Sequence, residues 1–178
     1  MFPFEAQHIV LMGVSGCGKS TIGQALSAAT GLTYLDGDDL HPVANVEKMR
    51  RGVPLEDADR APWLADCGRR LADAPSGLIL GCSALKAGYR SMIRRHASPA
   101  VPIFVYLHGS RPTLQMRLGG RQDHFMPKAL LDSQIATLDV PAPGEQAITV
   151  SIDQPAATVA QQILTRITRR LSPVARAA

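Results

Sequence analysis

Aromatic residues are scarce in this chain, with one Trp, three Tyr and four Phe among 178 residues. None is interleaved with the arginines at 166, 169, 170 and 176. Single-stranded nucleic acid is held by aromatic stacking beside positive charge, so the net charge of +4 is read as a solvated basic helix end, where cations suit the helix dipole. No nucleic-acid partner is expected. Cysteine is also sparse: Cys17, Cys67 and Cys82 form no C-x-x-C pair, which argues against a zinc ribbon or a redox couple and predicts reduced thiols. No apolar run approaches the roughly 18 residues of a membrane span, and Met1-Phe2-Pro3-Phe4-Glu5 has neither the basic region nor the apolar stretch of a signal peptide. The expectation is a cytoplasmic protein without a membrane partner. The only asparagine, Asn45, is followed by Val46-Glu47, and no D-x-x-G occurs anywhere, which excludes a GTPase switch. Repeats and low-complexity linkers are missing too, so residues 1–178 are expected to form a single domain.

What is present begins at His8. The apolar run His8 to Met12 leads into Gly13-Val14-Ser15-Gly16-Cys17-Gly18-Lys19-Ser20-Thr21, which fits G-x-x-x-x-G-K-[ST], and an amphipathic stretch follows. A strand, a glycine-rich turn and a helix in that order make a phosphate cradle. Gly13, Gly16 and Gly18 allow backbone N–H groups to converge on an oxyanion, and the helix start adds its positive dipole end. Within it, Ser15, Cys17 and Thr21 are expected around the nucleotide, Lys19 on the β- and γ-phosphates, and Ser20 on a magnesium ion. ATP and Mg²⁺ are the cofactors implied.

Further along, apolar strands alternate with helical patterns. Leu32 to Leu35, Leu78 to Ser83, Ile103 to Leu107 and Ile148 to Ile152 read as strands, and Val159, Ile163, Ile167 and Leu171 form a helical stripe at steps of four. The fold class expected is α/β, a P-loop three-layer sandwich with a parallel five-stranded sheet covered on both faces. Residues of about 40–73 read as an inserted helical substrate lobe. Arg117 and Arg121, on either side of Gly119-Gly120, suggest a mobile phosphate lid over about 117–127.

Several blocks are more specific than the cradle: Asp36-Gly37-Asp38-Asp39-Leu40-His41-Pro42, Asn45-Val46-Glu47-Lys48-Met49, Asp59-Arg60 with Pro62-Trp63-Leu64, Cys82-Ser83-Ala84-Leu85-Lys86 with Tyr89-Arg90, Arg117-Leu118 with Arg121 and His124-Phe125, and Asp153-Gln154-Pro155. In these blocks, spread over most of residues 8–170, the chain resembles the bacterial-type gluconate kinases, relatives of the shikimate and nucleoside-monophosphate kinases. The resemblance implies ATP-dependent phosphorylation of gluconate to 6-phosphogluconate, with ADP as co-product. It leaves a homodimer open. Three positions depart from the family: Cys17 replaces a usual serine, Gly81 a usual branched residue, and Gln122-Asp123 a more basic lid.

Phosphoryl transfer to an alcohol needs positioning, charge neutralisation and a carboxylate near the attacking hydroxyl. Asp38 is expected to accept that proton, and Asp36 to hold magnesium through water. Arg117 and Arg121 would offset phosphate charge, Arg121 catalytically. Asp153, Gln154 and Pro155 are expected on the nucleotide side. Lys48, Arg60, Lys86 and Arg90 are candidates for the sugar carboxylate, with Arg60 and Arg90 raised above the others by the resemblance, and His41 is a further substrate candidate. The Cys17 thiol is either activated by the cradle or buried and inert. Another small-molecule kinase of the same fold, shikimate-like, remains an alternative, as does a nucleotide-binding regulatory or nucleic-acid protein.

Overall fold

The first strand, β1 (His8–Met12), is buried along its whole length. Ile9 and Leu11 join one apolar cluster and Val10 and Met12 another, because alternate residues of a strand point to opposite faces. Such a strand belongs in the middle of a sheet covered on both sides. The computed structural model describes residues 4, 6–119 and 128–172, and in it β1 lies between β3 (Leu78–Gly81) and β4 (Ile103–His108). With β2 (Thr33–Asp36) and β5 (Ile148–Ser151) at the edges, the order is β2-β3-β1-β4-β5, parallel throughout.

Helix α1 (Lys19–Thr30) packs with α7 (Ala156–Leu171) on one face. Val159, Ile163 and Ile167 of α7 are fully buried, and Leu171 lies at the edge of the same core, as the four-residue step predicts. On the other face, α3 (Asp57–Ala72) packs against α4 (Ala87–Ala97). Helices α2 (Val43–Arg50), α5 (Arg111–Gly119) and α6 (Lys128–Thr137) complete the described α-helices. Ser110 caps α5, its hydroxyl accepting from the Thr113 N–H.

Two differences from the expected pattern matter for the site. Strand β2 starts and ends one residue later than its apolar run, so Asp36 is its last residue. The stretch 40–73 divides in two: α3 runs unbroken through Pro62, whose exposed ring turns to solvent, and Trp63, Leu64, Cys67 and Leu71 enter the core. Thus α3 belongs to the layer covering the sheet, while α2, with Val43 and Met49 exposed, stands outside it. Among the described residues, no helix is long and apolar enough to cross a membrane.

All three cysteines are free and fully buried. The native protein should therefore react with fewer than about one equivalent of Ellman's reagent on mixing and with all three thiols after unfolding in guanidinium. Rapid native titration of two or more would contradict this packing.

Candidate active site

The phosphate loop begins where β1 ends. Gly13 has φ +143°, and a Cβ there would lie 2.9 Å from the Leu107 carbonyl oxygen and 3.0 Å from the Cys17 sulfur, so only glycine fits. Gly16 and Gly18 also have positive φ, and Gly18 caps α1. The Gly13 N–H donates to the Ser83 carbonyl at 3.2 Å, tying the loop to the segment that follows β3. The Lys19 ammonium donates to the carbonyls of Gly13 (3.1 Å) and Val14 (3.4 Å). Thr21 is exposed on the first turn of α1. The Cys17 thiol faces the core and is fully buried, with the Lys19 ammonium 3.9 Å from its sulfur.

Beside this loop, Asp36 collects three donors. Its Oδ2 accepts from the Ser20 hydroxyl at 3.0 Å and from Tyr34 Oη at 3.3 Å, and its Oδ1 accepts from the Asp38 N–H at 3.1 Å. Ser20 and Asp36 thus meet, two hard oxygen donors of the kind Mg²⁺ prefers. Burial raises the Tyr34 pKa, leaving its hydroxyl a donor. Its ring fills the space over two glycines: a Cβ on Gly81 would come within 2.4 Å of Tyr34 Oη, and one on Gly23 within 2.2 Å of the ring.

A single 3₁₀ turn, 37–40, then carries Asp38. The Trp63 indole N–H donates to the Gly37 carbonyl at 2.7 Å, so α3 fixes the position of that turn. Asp38 is exposed on that turn. Desolvation raises its pKa above the ordinary 3.8, opposed by Lys19 and reinforced by Asp36. His41 stacks on Trp63 with ring centroids 4.1 Å apart and 16° between planes. Desolvation lowers its pKa below 6.5, against the pull of Asp38, which leaves it neutral at pH 7. Asn45, buried, ties α2 to α3 by donating to the Asp59 carbonyl at 2.8 Å.

The four basic candidates for a substrate carboxylate separate by their partners. Lys48 pairs with Asp59 at 2.6 Å, and Lys86 reaches both oxygens of Asp57 at 2.8 Å. Arg90 is corrected. It is fully buried, forks onto Glu145 at 2.6 and 2.7 Å, and donates to the Ala84 and Leu85 carbonyls. With four of its five N–H donors used internally, it holds the segment after β3 in place of meeting a substrate. Arg60 donates to the Leu55 carbonyl and, among the described residues, has no acidic partner within ion-pair distance.

On the opposite side of the loop, Arg117 donates to the carbonyls of Ile152 (2.6 Å) and Gln154 (3.4 Å). Its guanidinium also lies 3.3 Å from where a Gly18 Cβ would stand. It therefore joins the phosphate loop to the segment Asp153, Gln154, Pro155. Asp153 accepts from Ser110 Oγ at 3.4 Å, and Gln162 donates to Gln154 at 2.9 Å. Arg121, His124 and the rest of 120–127 lie outside the described residues. Of the basic end, Arg166 and Arg170 donate to the carbonyls of Thr149 and Gln146.

A family model described as an AAA domain matches residues 9–141. The chain is 46% identical to a gluconokinase of Gluconobacter oxydans (strain 621H) over 163 residues, 90% of each chain. It is 42% identical to a thermosensitive gluconokinase of Escherichia coli (strain K12), covering 88% of this chain and 84% of that one. The chain belongs to the gluconokinase family. Among solved structures, a gluconokinase from Sinorhizobium meliloti 1021 superposes with a TM-score of 0.84 at 42% identity, covering 96% of both chains. A shikimate kinase from Acinetobacter baumannii, at 20% identity and a TM-score of 0.63, shares the fold. Within the gluconokinase pattern, the Gly81 departure has a local cause: the Tyr34 hydroxyl occupies the space a branched side chain would need.

Sequence reasoning passes over Tyr34, Gln134, Asp139 and Glu145. Gln134, Asp139 and Glu145 act through partners more than 50 residues away, which no local spacing marks, and Tyr34 through Asp36 on its own strand. The Arg90–Glu145 pair holds the Glu145 pKa down to about 2, mainly through the Arg90 hydrogen bonds, against an ordinary 4.5. A carboxylate whose folded pKa is depressed stabilises the fold fully above its unfolded value and loses that contribution as pH falls through the folded one. Thermal stability should thus decline between about pH 5 and pH 2, and Glu145→Gln should flatten that part of the slope. Arg90→Ala, which leaves Glu145 only its 3.4 Å contact with Arg94 and takes the donors from the Ala84 and Leu85 carbonyls, should destabilise by about 3 kcal/mol in chemical denaturation. An unchanged midpoint would refute the role.

Proposed function

We propose that this chain transfers the γ-phosphoryl group of ATP to the terminal hydroxyl of D-gluconate, giving 6-phospho-D-gluconate and ADP. The observation that carries this reading is the 46% identity to a gluconokinase across nine-tenths of the chain, and the geometry of the cleft supports it. Lys19 is the cation of the phosphate loop, exchanging its carbonyl partners for phosphate oxygens. Ser20 and Asp36 would hold Mg²⁺, which would neutralise the charge that develops on the transferred phosphoryl group. Asp38 accepts the proton of the attacking hydroxyl. Burial raises its pKa above the ordinary carboxylate value, opposed by the charge of Lys19, and the rise brings it nearer to the strength a base needs. Arg117, with Asp153, Gln154 and Pro155, lines the nucleotide side, and Arg121 belongs with them as a phosphate-charge partner.

Arg60 is the cation for the substrate carboxylate. Lys48 and Lys86 pair with Asp59 and Asp57, whereas the Arg60 guanidinium, without an ion-pair partner among the described residues, suits a planar anion. His41, neutral and stacked on Trp63, offers a hydrogen-bonding edge to sugar hydroxyls. The protein acts in the cytoplasm in this reading.

ADP release should be measured with gluconate, glucose, shikimate and nucleoside monophosphates as acceptors. Glucose, which lacks the anion, should be at least about tenfold worse in kcat/KM than gluconate, and the other two should be inert. Equal use of glucose would refute the reading. Arg60→Ala should raise the gluconate KM about tenfold with the ATP KM nearly unchanged. Asp38→Asn should lower kcat about a hundredfold or more with ATP binding retained, and Lys19→Ala should lower it by orders of magnitude. Activity above about a tenth of wild type in either of the last two would reassign that residue.

A further inference from the structure

Within the phosphate loop, the Ser15 N–H is taken by a side chain from another element: Gln134 Oε1 of α6 accepts it at 2.7 Å across 119 residues of sequence. The other internal partners described so far are backbone groups or lie at the Asp36 cluster. Two residues past the end of α6, Asp139 makes a second attachment. Its N–H donates to the Leu85 carbonyl at 2.9 Å, and its carboxylate accepts from the Ala87 N–H at 3.0 Å. Leu85 and Ala87 flank Lys86 in the segment that Arg90 also grips. One short helix is therefore fastened at Gln134 to the phosphate loop and, just past its end, to the acceptor-side segment.

An N–H group makes one strong linear hydrogen bond, so a phosphate oxygen seated on Ser15 competes with Gln134 for it. The charged oxygen is the better acceptor. We propose that Gln134 is a displaceable tether through which phosphate binding frees α6 and loosens the Leu85–Ala87 segment. Gln134 is a positioning residue in this scheme. The proposal rests on the reading that this loop binds nucleotide phosphates and adds how that event reaches the substrate side. A ligand shifts such an equilibrium only by its differential affinity for the two states, and here the difference is the exchange of one acceptor for another at Ser15.

The test is calorimetric titration with MgADP of wild type, Gln134→Ala and Gln134→Glu, with amide hydrogen exchange at residues 85–87 in each. Gln134 is only partly buried and alanine favours helix, so the first variant should fold. Without the competing acceptor it should bind ADP about three- to tenfold more tightly. Residues 85–87 should exchange in its free form as fast as in ADP-bound wild type. Gln134→Glu keeps an acceptor at Ser15 but adds negative charge facing the phosphates, and should bind ADP at least about tenfold more weakly. ADP binding to Gln134→Ala equal to or weaker than wild type, or wild-type exchange at 85–87 unaltered by ADP, would overturn the tether. Wild type that turns over gluconate normally while either of those results holds would leave the proposed function standing; wild type that binds no ADP would overturn both.

Discussion

The Asp36 carboxylate joins the parts of the site that come from different places in the chain. It accepts from Ser20 at the start of α1, from Tyr34 on its own strand and from the Asp38 backbone. Each bond to a charged acceptor is stronger than a neutral one. Because β2 stands at the sheet edge, two strands away from β1, this carboxylate spans the gap between the phosphate loop and the turn bearing Asp38. With Asp36 fixed, the turn needs only the Trp63 bond to Gly37 to bring Asp38 and Lys19 within electrostatic reach of each other.

Charge compensation decides which cations remain for ligands. Lys48, Lys86 and Arg90 look equivalent in composition, yet each has a carboxylate of its own in the fold. The pairs on Lys48 and Lys86 are partly exposed and contribute little stability, but they keep the ammonium groups in place. Arg90–Glu145 is of another kind: with the guanidinium fully buried, removal of Glu145 strands a charge. Its value to the site is indirect, since the same guanidinium holds the carbonyls of Ala84 and Leu85.

The two described departures from the family pattern have local explanations. Gly81 makes room for the Tyr34 hydroxyl, which in turn helps orient Asp36, so the absence of a side chain on β3 is felt at the proposed metal ligand on β2. Partners that orient a ligating carboxylate commonly matter nearly as much as the ligand itself. Cys17 fills a core position against Gly13, where a thiol packs as a small apolar group.

The sequence by itself determined the phosphate loop, because strand, glycines, lysine and helix are contiguous and their roles depend on backbone geometry that local residues dictate. It also determined the parallel sheet and the buried stripe of α7, since short continuous apolar runs mark strands covered on both faces and steps of four mark the buried face of a helix. Even Asp36 and Asp38 could be named from their place at a strand end. Tertiary structure alone decided the burial of Arg90, the assignment of α3 to the sheet layer, the reach of Gln134 to Ser15, and the lack of an ion-pair partner for Arg60 among the described residues. The physical reason is the same in each case: burial and pairing are set by side chains that arrive from tens of residues away, such as Glu145 at Arg90 or Asp139 at Ala87, and no local pattern encodes a partner's distance in space.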